Sequence, residues 1–127
     1  NQDPRGLADL LVGLSRRFPD LPLVVTENGS AWDDEVGDDG LVHDAKRVSY
    51  LERHIKAVAE ALRQGADVRG YYAWSLLDNF EWAWGYTKRF GLIRVDYGTQ
   101  RRIWKDSARW YSKLVQSGVI PPDGYLQ

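Results

Sequence analysis

Glu27 stands at the end of a short apolar run, Leu23-Val24-Val25-Thr26, and is followed by Asn28 and Gly29. The run reads as a strand buried on both faces. Gly29 then lets the backbone turn sharply. Glu27 is therefore expected at the carboxyl end of a buried strand, where α/β proteins carry their chemistry. A carboxylate so placed can be a nucleophile, a general base or a metal ligand. It can equally be a structural group accepting bonds from nearby backbone. The local pattern leaves both readings open.

A second constellation is Trp74-Ser75-Leu76-Leu77-Asp78-Asn79-Phe80-Glu81-Trp82. Indoles beside a carboxylate and an amide suit a sugar. Pyranose rings present apolar C–H faces to aromatic planes, and their hydroxyls bond in pairs to carboxylates. A Trp-rich core patch is the commoner use of such residues and is the alternative here. Pairing Glu27 with Glu81 as the two carboxylates of glycoside hydrolysis has weak support, because sequence gives no separation between them.

Other candidates carry less. Residues 30–41 hold Asp33, Asp34, Glu35, Asp38 and Asp39, but their spacing does not match an EF-hand, and they read as a solvated loop. His43 and His54 are too isolated to suggest a metal site, and His54 reads as a surface or partly buried helix residue. Asn28-Gly29-Ser30 matches a glycosylation acceptor, but it touches the proposed catalytic strand end.

Several elements must hold these residues. Asp3 and Pro4 read as an N-cap and first helical position, with Leu7, Leu10, Leu11, Leu14 and Phe18 in helical spacing. Pro19 and Pro22 stop that helix. Asp44 caps a second helix whose buried face is Val48, Leu51, Ile55, Val58 and Leu62, and Gly65 ends it. Residues 68–74 read as a second strand and 76–86 as a long aromatic loop, a candidate functional loop. Residues 90–95 read as a short extra strand. Trp104, Ala108, Tyr111, Leu114 and Val115 pattern a last helix that stops at Gly118, and Pro121 and Pro122 lead an irregular tail. The alternation is βα, hence a parallel sheet with helices outside. Two principal strands do not make a stable parallel sheet alone, so the chain reads as a piece of a larger α/β architecture.

Composition narrows the classes. At 43% hydrophobic residues the 127-residue chain can bury a core. It has no Cys, which excludes disulfides and thiolate metal sites and suits a reducing cytoplasm. Its 17 basic and 18 acidic residues are dispersed, with no basic stripe for nucleic acid. No apolar run approaches membrane-spanning length. The start, Asn1-Gln2-Asp3-Pro4, does not read as a signal peptide. It lacks an initiator Met, so a longer parent chain is expected.

Thr26-Glu27-Asn28-Gly29 followed by Trp74-Ser75-Leu76-Leu77-Asp78-Asn79-Phe80-Glu81-Trp82 resembles glycoside hydrolase family 1, the β-glucosidase family. Lys88-Arg89-Phe90-Gly91-Leu92, Val95-Asp96-Tyr97, Lys105-Asp106-Ser107 and Trp110-Tyr111 extend the resemblance, which runs over about residues 3–122. Bacterial members of actinobacterial type are the most similar. The resemblance implies an α/β fold that is the C-terminal part of a (β/α)8 TIM barrel: helix 6, strand 7, helix 7, strand 8 and helix 8, all within one domain fragment, 1–127. It implies a retaining mechanism with Glu27 as nucleophile. Asn28 would support it. Trp74 would be the platform under the glycone, Glu81 would take its 4- and 6-hydroxyls, Trp82 would share that recognition, and Phe90 would line the deep end of the pocket. A cis peptide is expected at Trp74-Ser75. Trp84 is given no role. No cofactor is implied.

The family's general acid/base lies in an Asn-Glu-Pro motif, which this chain lacks. The resemblance therefore implies a partner, the N-terminal portion of the same barrel, and a β-glucoside or short β-linked oligosaccharide as substrate. The isolated chain is expected to be inactive. It would then be a folding module that binds sugar weakly at most.

Overall fold

A computed structural model describes residues 2–122, and the part of the expected irregular tail beyond Pro122 lies outside them. Helix α1 (Pro4–Arg17) begins where the sequence places it. Asp3 accepts from the Gly6 amide at 3.0 Å, and Pro4 takes a first-turn position that needs no N–H. Arg16 and Arg17 sit in the last turn, where cations suit the helix dipole. Phe18 is the C-cap and lies outside the helix.

Strand β1 (Leu23–Asn28), helix α2 (Ala45–Arg63) and strand β2 (Val68–Ala73) form a βαβ unit. The strands pair in parallel, Leu23 opposite Val68 and Asn28 opposite Ala73, with two irregularities of register between them. Helices α1 and α2 cover one face. Leu11, Val12, Val58, Ala61 and Ala66 form the core there, with Leu23, Val25, Val68 and Tyr71 packed against it.

The other face is uncovered, which corrects the expectation of a strand buried on both sides. Val24 is 48% exposed and Tyr72 62%. A Cβ built on Gly70 would lie 3.2 Å from Val24 and 3.4 Å from Tyr72, so these three positions share that face. Apolar side chains there, on a sheet of only two strands, have the composition of a covered face without the cover.

Helix α2 also turns differently from expectation. Its buried stripe is Arg47, Tyr50, Leu51, His54, Ala57, Val58 and Ala61. Val48 and Ile55 flank the stripe half-buried, and Leu62 is exposed. The small residues Ala57 and Ala61 let neighbouring elements approach closely. His54 is buried because its polarity is satisfied: Nδ1 bonds the Tyr50 carbonyl at 2.7 Å, and the ring stacks on Tyr50 at 3.9 Å.

The extra strand is shorter than expected, β3 (Ile93–Val95), and it has a partner the sequence reading lacked, β4 (Arg102–Trp104). They pair antiparallel, joined through a turn in which Asp96 accepts from the Gly98 and Thr99 amides. Trp104 thus belongs to β4, and the last helix, α3, runs Asp106–Ser117. Val115 lies on its outer face, 67% exposed. Gly118 ends α3 in the left-handed region at φ +66°, where its N–H reaches the Leu114 carbonyl at 2.8 Å. Tyr50, Leu51, Leu92, Ala108 and Trp110 form the second core, between α2, α3 and the β3–β4 ribbon.

Candidate active site

The carboxyl ends of β1 and β2 lie side by side. The Trp74 amide donates to the Asn28 carbonyl at 2.8 Å, carrying the pairing one residue past β2. Gly29 follows immediately, and a Cβ there would stand 1.7 Å from the Trp74 carbonyl oxygen. Glycine is needed for this close approach. That differs from the sharp turn expected of it, since its φ is not in the left-handed region.

Glu27 points its carboxylate into the open: the residue is exposed, and no hydrogen bond or ion pair engages it among the described residues. Asn28 is half-buried and held. Its Oδ1 accepts from the Tyr71 hydroxyl at 2.7 Å. Burial raises the Tyr71 pKa above the ordinary phenol value, with the nearby Tyr50 and Tyr111 adding to the shift, so this hydroxyl stays a donor.

Trp74 is half-buried and joined to Ser75 by a cis peptide, as expected. Ser75 is buried, and its backbone bonds both sides of the next segment: its amide reaches the Phe90 carbonyl at 3.2 Å, and its carbonyl accepts from Leu92 at 2.8 Å. This places the half-buried Phe90 beside Trp74-Ser75. Glu27, Asn28, Trp74 and Phe90 are therefore gathered at one end of the sheet.

Glu81 and Trp82 sit apart on the aromatic loop. The Glu81 amide bonds the Gly85 carbonyl at 2.7 Å, closing a short 3₁₀ turn, Trp82–Trp84. Trp82 has φ +44° and is 82% exposed. Phe80 meets Tyr86 edge-on at 5.5 Å, Tyr86 meets Tyr97 at a tilt at 4.6 Å, and the Arg89 guanidinium lies 4.9 Å over Tyr97. The carboxylates of Glu27 and Glu81 share no hydrogen-bonding partner among the described residues. The aromatic run is thus mostly surface and not a core patch.

A buried ion ladder underlies both loops, and the sequence reading missed it. Asp34, expected in a solvated loop, is buried and bonds Arg47 through both oxygens, at 3.1 and 2.7 Å. Lys105 is fully buried and donates to Asp34 at 2.5 Å and to Asp78 at 2.9 Å. Asp78 further accepts from Arg89 at 2.6 Å and from the Gly91 amide at 3.0 Å. Gly91 is another close approach, since a Cβ there would stand 2.2 Å from the Asp78 amide.

Asp44 occupies the N-cap position of α2 but makes no side-chain cap bond there. Its carboxylate accepts from the Ser107 amide at 2.8 Å and hydroxyl at 2.5 Å, and from Arg47. Three carboxylates thus face three cations, Arg47, Lys105 and Arg89, in alternation. Burial pulls the Lys105 ammonium below its ordinary value, the Arg47 charge acts the same way, and the bonds to Asp34 and Asp78 oppose them. The sequence signals for the ladder were the Asp44 and Arg47 pair, three positions apart at a helix start, and Lys105-Asp106-Ser107, to which no role was attached. Among the described residues, no cluster of three or more His, Cys, Asp or Glu could hold a metal ion.

The family described as Glycosyl hydrolase family 1 matches residues 1–119. The chain is 56% identical over 119 residues to a bifunctional beta-D-glucosidase/beta-D-fucosidase of Bifidobacterium breve, covering 91% of this chain and 26% of that protein. It is 48% identical over 117 residues to beta-glucosidase A of Thermotoga maritima, covering 92% and 26% respectively. A Thermotoga maritima beta-glucosidase solved in complex with castanospermine superposes at TM-score 0.93 and 45% identity, over 96% of this chain and 28% of that one. The chain spans about a quarter of the length of the curated relatives it matches. Its fold is a small α/β piece similar to part of these enzymes, which have a TIM barrel. On the extent of the family match and these identities, the chain belongs to glycosyl hydrolase family 1.

Proposed function

We propose that this chain forms the C-terminal part of a retaining β-glucosidase, from the sixth helix to the eighth strand and helix of its (β/α)8 barrel. The observation that carries this reading is the juxtaposition of Glu27-Asn28-Gly29 with Trp74 at the carboxyl ends of paired parallel strands, the end at which TIM barrels do chemistry. The uncovered face bearing Val24 and Tyr72 supports the need for the remaining barrel.

In the reaction, the Glu27 carboxylate attacks the anomeric carbon while the bond to the aglycone oxygen breaks. A carboxylic acid from the rest of the barrel gives that oxygen its proton. A water then attacks the same carbon, loses a proton to the resulting carboxylate, and releases Glu27 from the glycosyl ester. Such enzymes hold their two carboxyl groups about 5 Å apart. Glu27 is this chain's contribution to the pair. Trp74, Phe90, Glu81 and Trp82 bind the glycone, Asn28 supports the nucleophile, and no cofactor takes part. The complexes of the Thermotoga maritima relative with isofagomine lactam and deoxynojirimycin fit a sugar ligand.

The test joins this chain to the remaining barrel and treats the protein with a 2-deoxy-2-fluoro-β-glucoside carrying a good leaving group. A glycosyl adduct on the peptide containing Glu27, absent in Glu27→Gln, is expected. An active enzyme labelled elsewhere would overturn the assignment. This chain alone should show no turnover above background on a chromogenic β-glucoside.

A further inference from the structure

One ammonium ties together the two loops that carry the candidate site. Lys105 Nζ bonds Asp34, in the loop that leaves the Glu27 strand, and Asp78, three positions before Glu81. It is 0% exposed, so water does not substitute for either partner. Its own position is fixed from both sides. The Lys105 amide reaches the Leu92 carbonyl at 3.2 Å, and the Asp106 amide reaches the Val42 carbonyl at 3.0 Å. At the far ends, Asp34 is held by Arg47, and Asp78 by Arg89 and the Gly91 amide. Only short stretches of chain separate each carboxylate from the site: 28–33 on one side, 79 and 80 on the other.

We infer that Lys105 is a positioning residue for sugar recognition, its ammonium setting where the Glu81-Trp82 loop stands relative to the Glu27 strand end. This deepens the reading that Glu27 is the nucleophile and Glu81 a glycone contact, and it rests on that reading. Lys105 touches no substrate; it acts through Asp34 and Asp78. A lysine has the right form for this task. Its compact charge can bond two carboxylates from different loops at once, and in a buried site that geometry is held firmly.

The consequence is a selective defect. Glu81 is assigned the 4- and 6-hydroxyls, so a shifted loop loses discrimination for those hydroxyls more than it loses the reaction itself. The readout is the ratio of kcat/KM for a chromogenic β-glucoside to that for its 6-deoxy analogue, measured on the complete barrel containing this chain. Lys105→Met keeps the stem and removes the charge. It is expected to lower the ratio about tenfold, the scale of one misplaced bond to a charged group. Misfolding alone removes active molecules equally for both substrates and leaves the ratio unchanged.

Glu81→Ala should lower the same ratio, and adding Lys105→Met to it should change the ratio no further. If Lys105→Met does not accumulate as folded protein, Asp34→Asn is the second variant. It weakens one of the two bonds and should shift the ratio in the same direction by a smaller factor. An unchanged ratio in the folded variant, or an independent further drop in the double variant, overturns the role of Lys105. A wild-type barrel that is inactive, or that Glu27→Gln leaves active, overturns the underlying reading instead, so the two failures are distinguishable.

Discussion

Gly29 and the Trp74 carbonyl are in such close approach that a Cβ on the glycine would fall 1.7 Å from the oxygen. That oxygen belongs to backbone, so it cannot rotate aside as a side chain would. Gly29→Ala must push apart the two strand ends at the point where Glu27 and Trp74 come together. We expect a loss of about 2–3 kcal/mol of stability. Catalytic efficiency should fall roughly a hundredfold, since misplacement of about 1 Å costs that much. Urea unfolding and steady-state kinetics on the complete barrel check both.

The same strand end predicts the effect of Tyr71→Phe. The hydroxyl donates to Asn28 Oδ1 at 2.7 Å, and the Tyr50 side chain also bonds Asn28. Removal of the Tyr71 hydroxyl should cost about 1 kcal/mol and reduce kcat less than tenfold, because in the proposed reaction Asn28 supports the nucleophile and does not react. Burial raises the Tyr71 pKa, so its phenol should remain un-ionised through pH 10. Ultraviolet difference titration of the wild type against Tyr71→Phe checks this. A phenolate signal removed by the substitution and appearing below pH 10 would contradict it.

Asp78 is the most heavily used acceptor of the ladder, serving Lys105, Arg89 and the Gly91 amide. Asp78→Ala leaves a buried ammonium with one partner and takes the acceptor from two buried amides, those of Gly91 and Val95. The expected cost is about 3–5 kcal/mol. Lys88→Ala is the control. Lys88 sits 5.5 Å over the exposed Trp84 ring, and its loss should cost about 0.5 kcal/mol or less. Thermal melts of the two variants should differ by many degrees, and equal melting temperatures would refute the ranking.

What the sequence disclosed follows from what is local. Asp3-Pro4, Gly65 and Gly118 bound their helices by short-range geometry, and their places were legible. The alternation of helices and strands likewise required more sheet, and the open face bearing Val24 and Tyr72 agrees. The ladder was not legible as a whole, because the bonds that join its short-range pairs span long separations: Asp34 and Lys105 lie 71 positions apart. Asp34 sits among Asp33, Glu35, Asp38 and Asp39, and nothing in composition distinguishes the buried carboxylate from its neighbours. Trp104 fell at helical spacing with Ala108 and Tyr111, yet pairing with Ile93 took it into a strand. The short β4 has too few residues to show a period of its own.

His43 supplies a prediction in pH. Its Nδ1 lies 2.7 Å from Asp106 and its Nε2 2.9 Å from Asp39, so the imidazole straps the acidic loop to the start of α3. The Asp39 bond, then the Asp106 bond and charge, raise its pKa above the ordinary 6.5. The folded value lies above the unfolded one, so the strap is fully formed below about pH 6.5. It is lost as pH rises through the raised folded value. The group is exposed, so the effect on global stability is small and fades with salt. The imidazole signal in NMR should titrate above about pH 6.5. Asp39→Asn should bring its midpoint downward, because the largest contribution is then gone. A His43 midpoint unmoved by Asp39→Asn would show that Asp106 alone holds the ring.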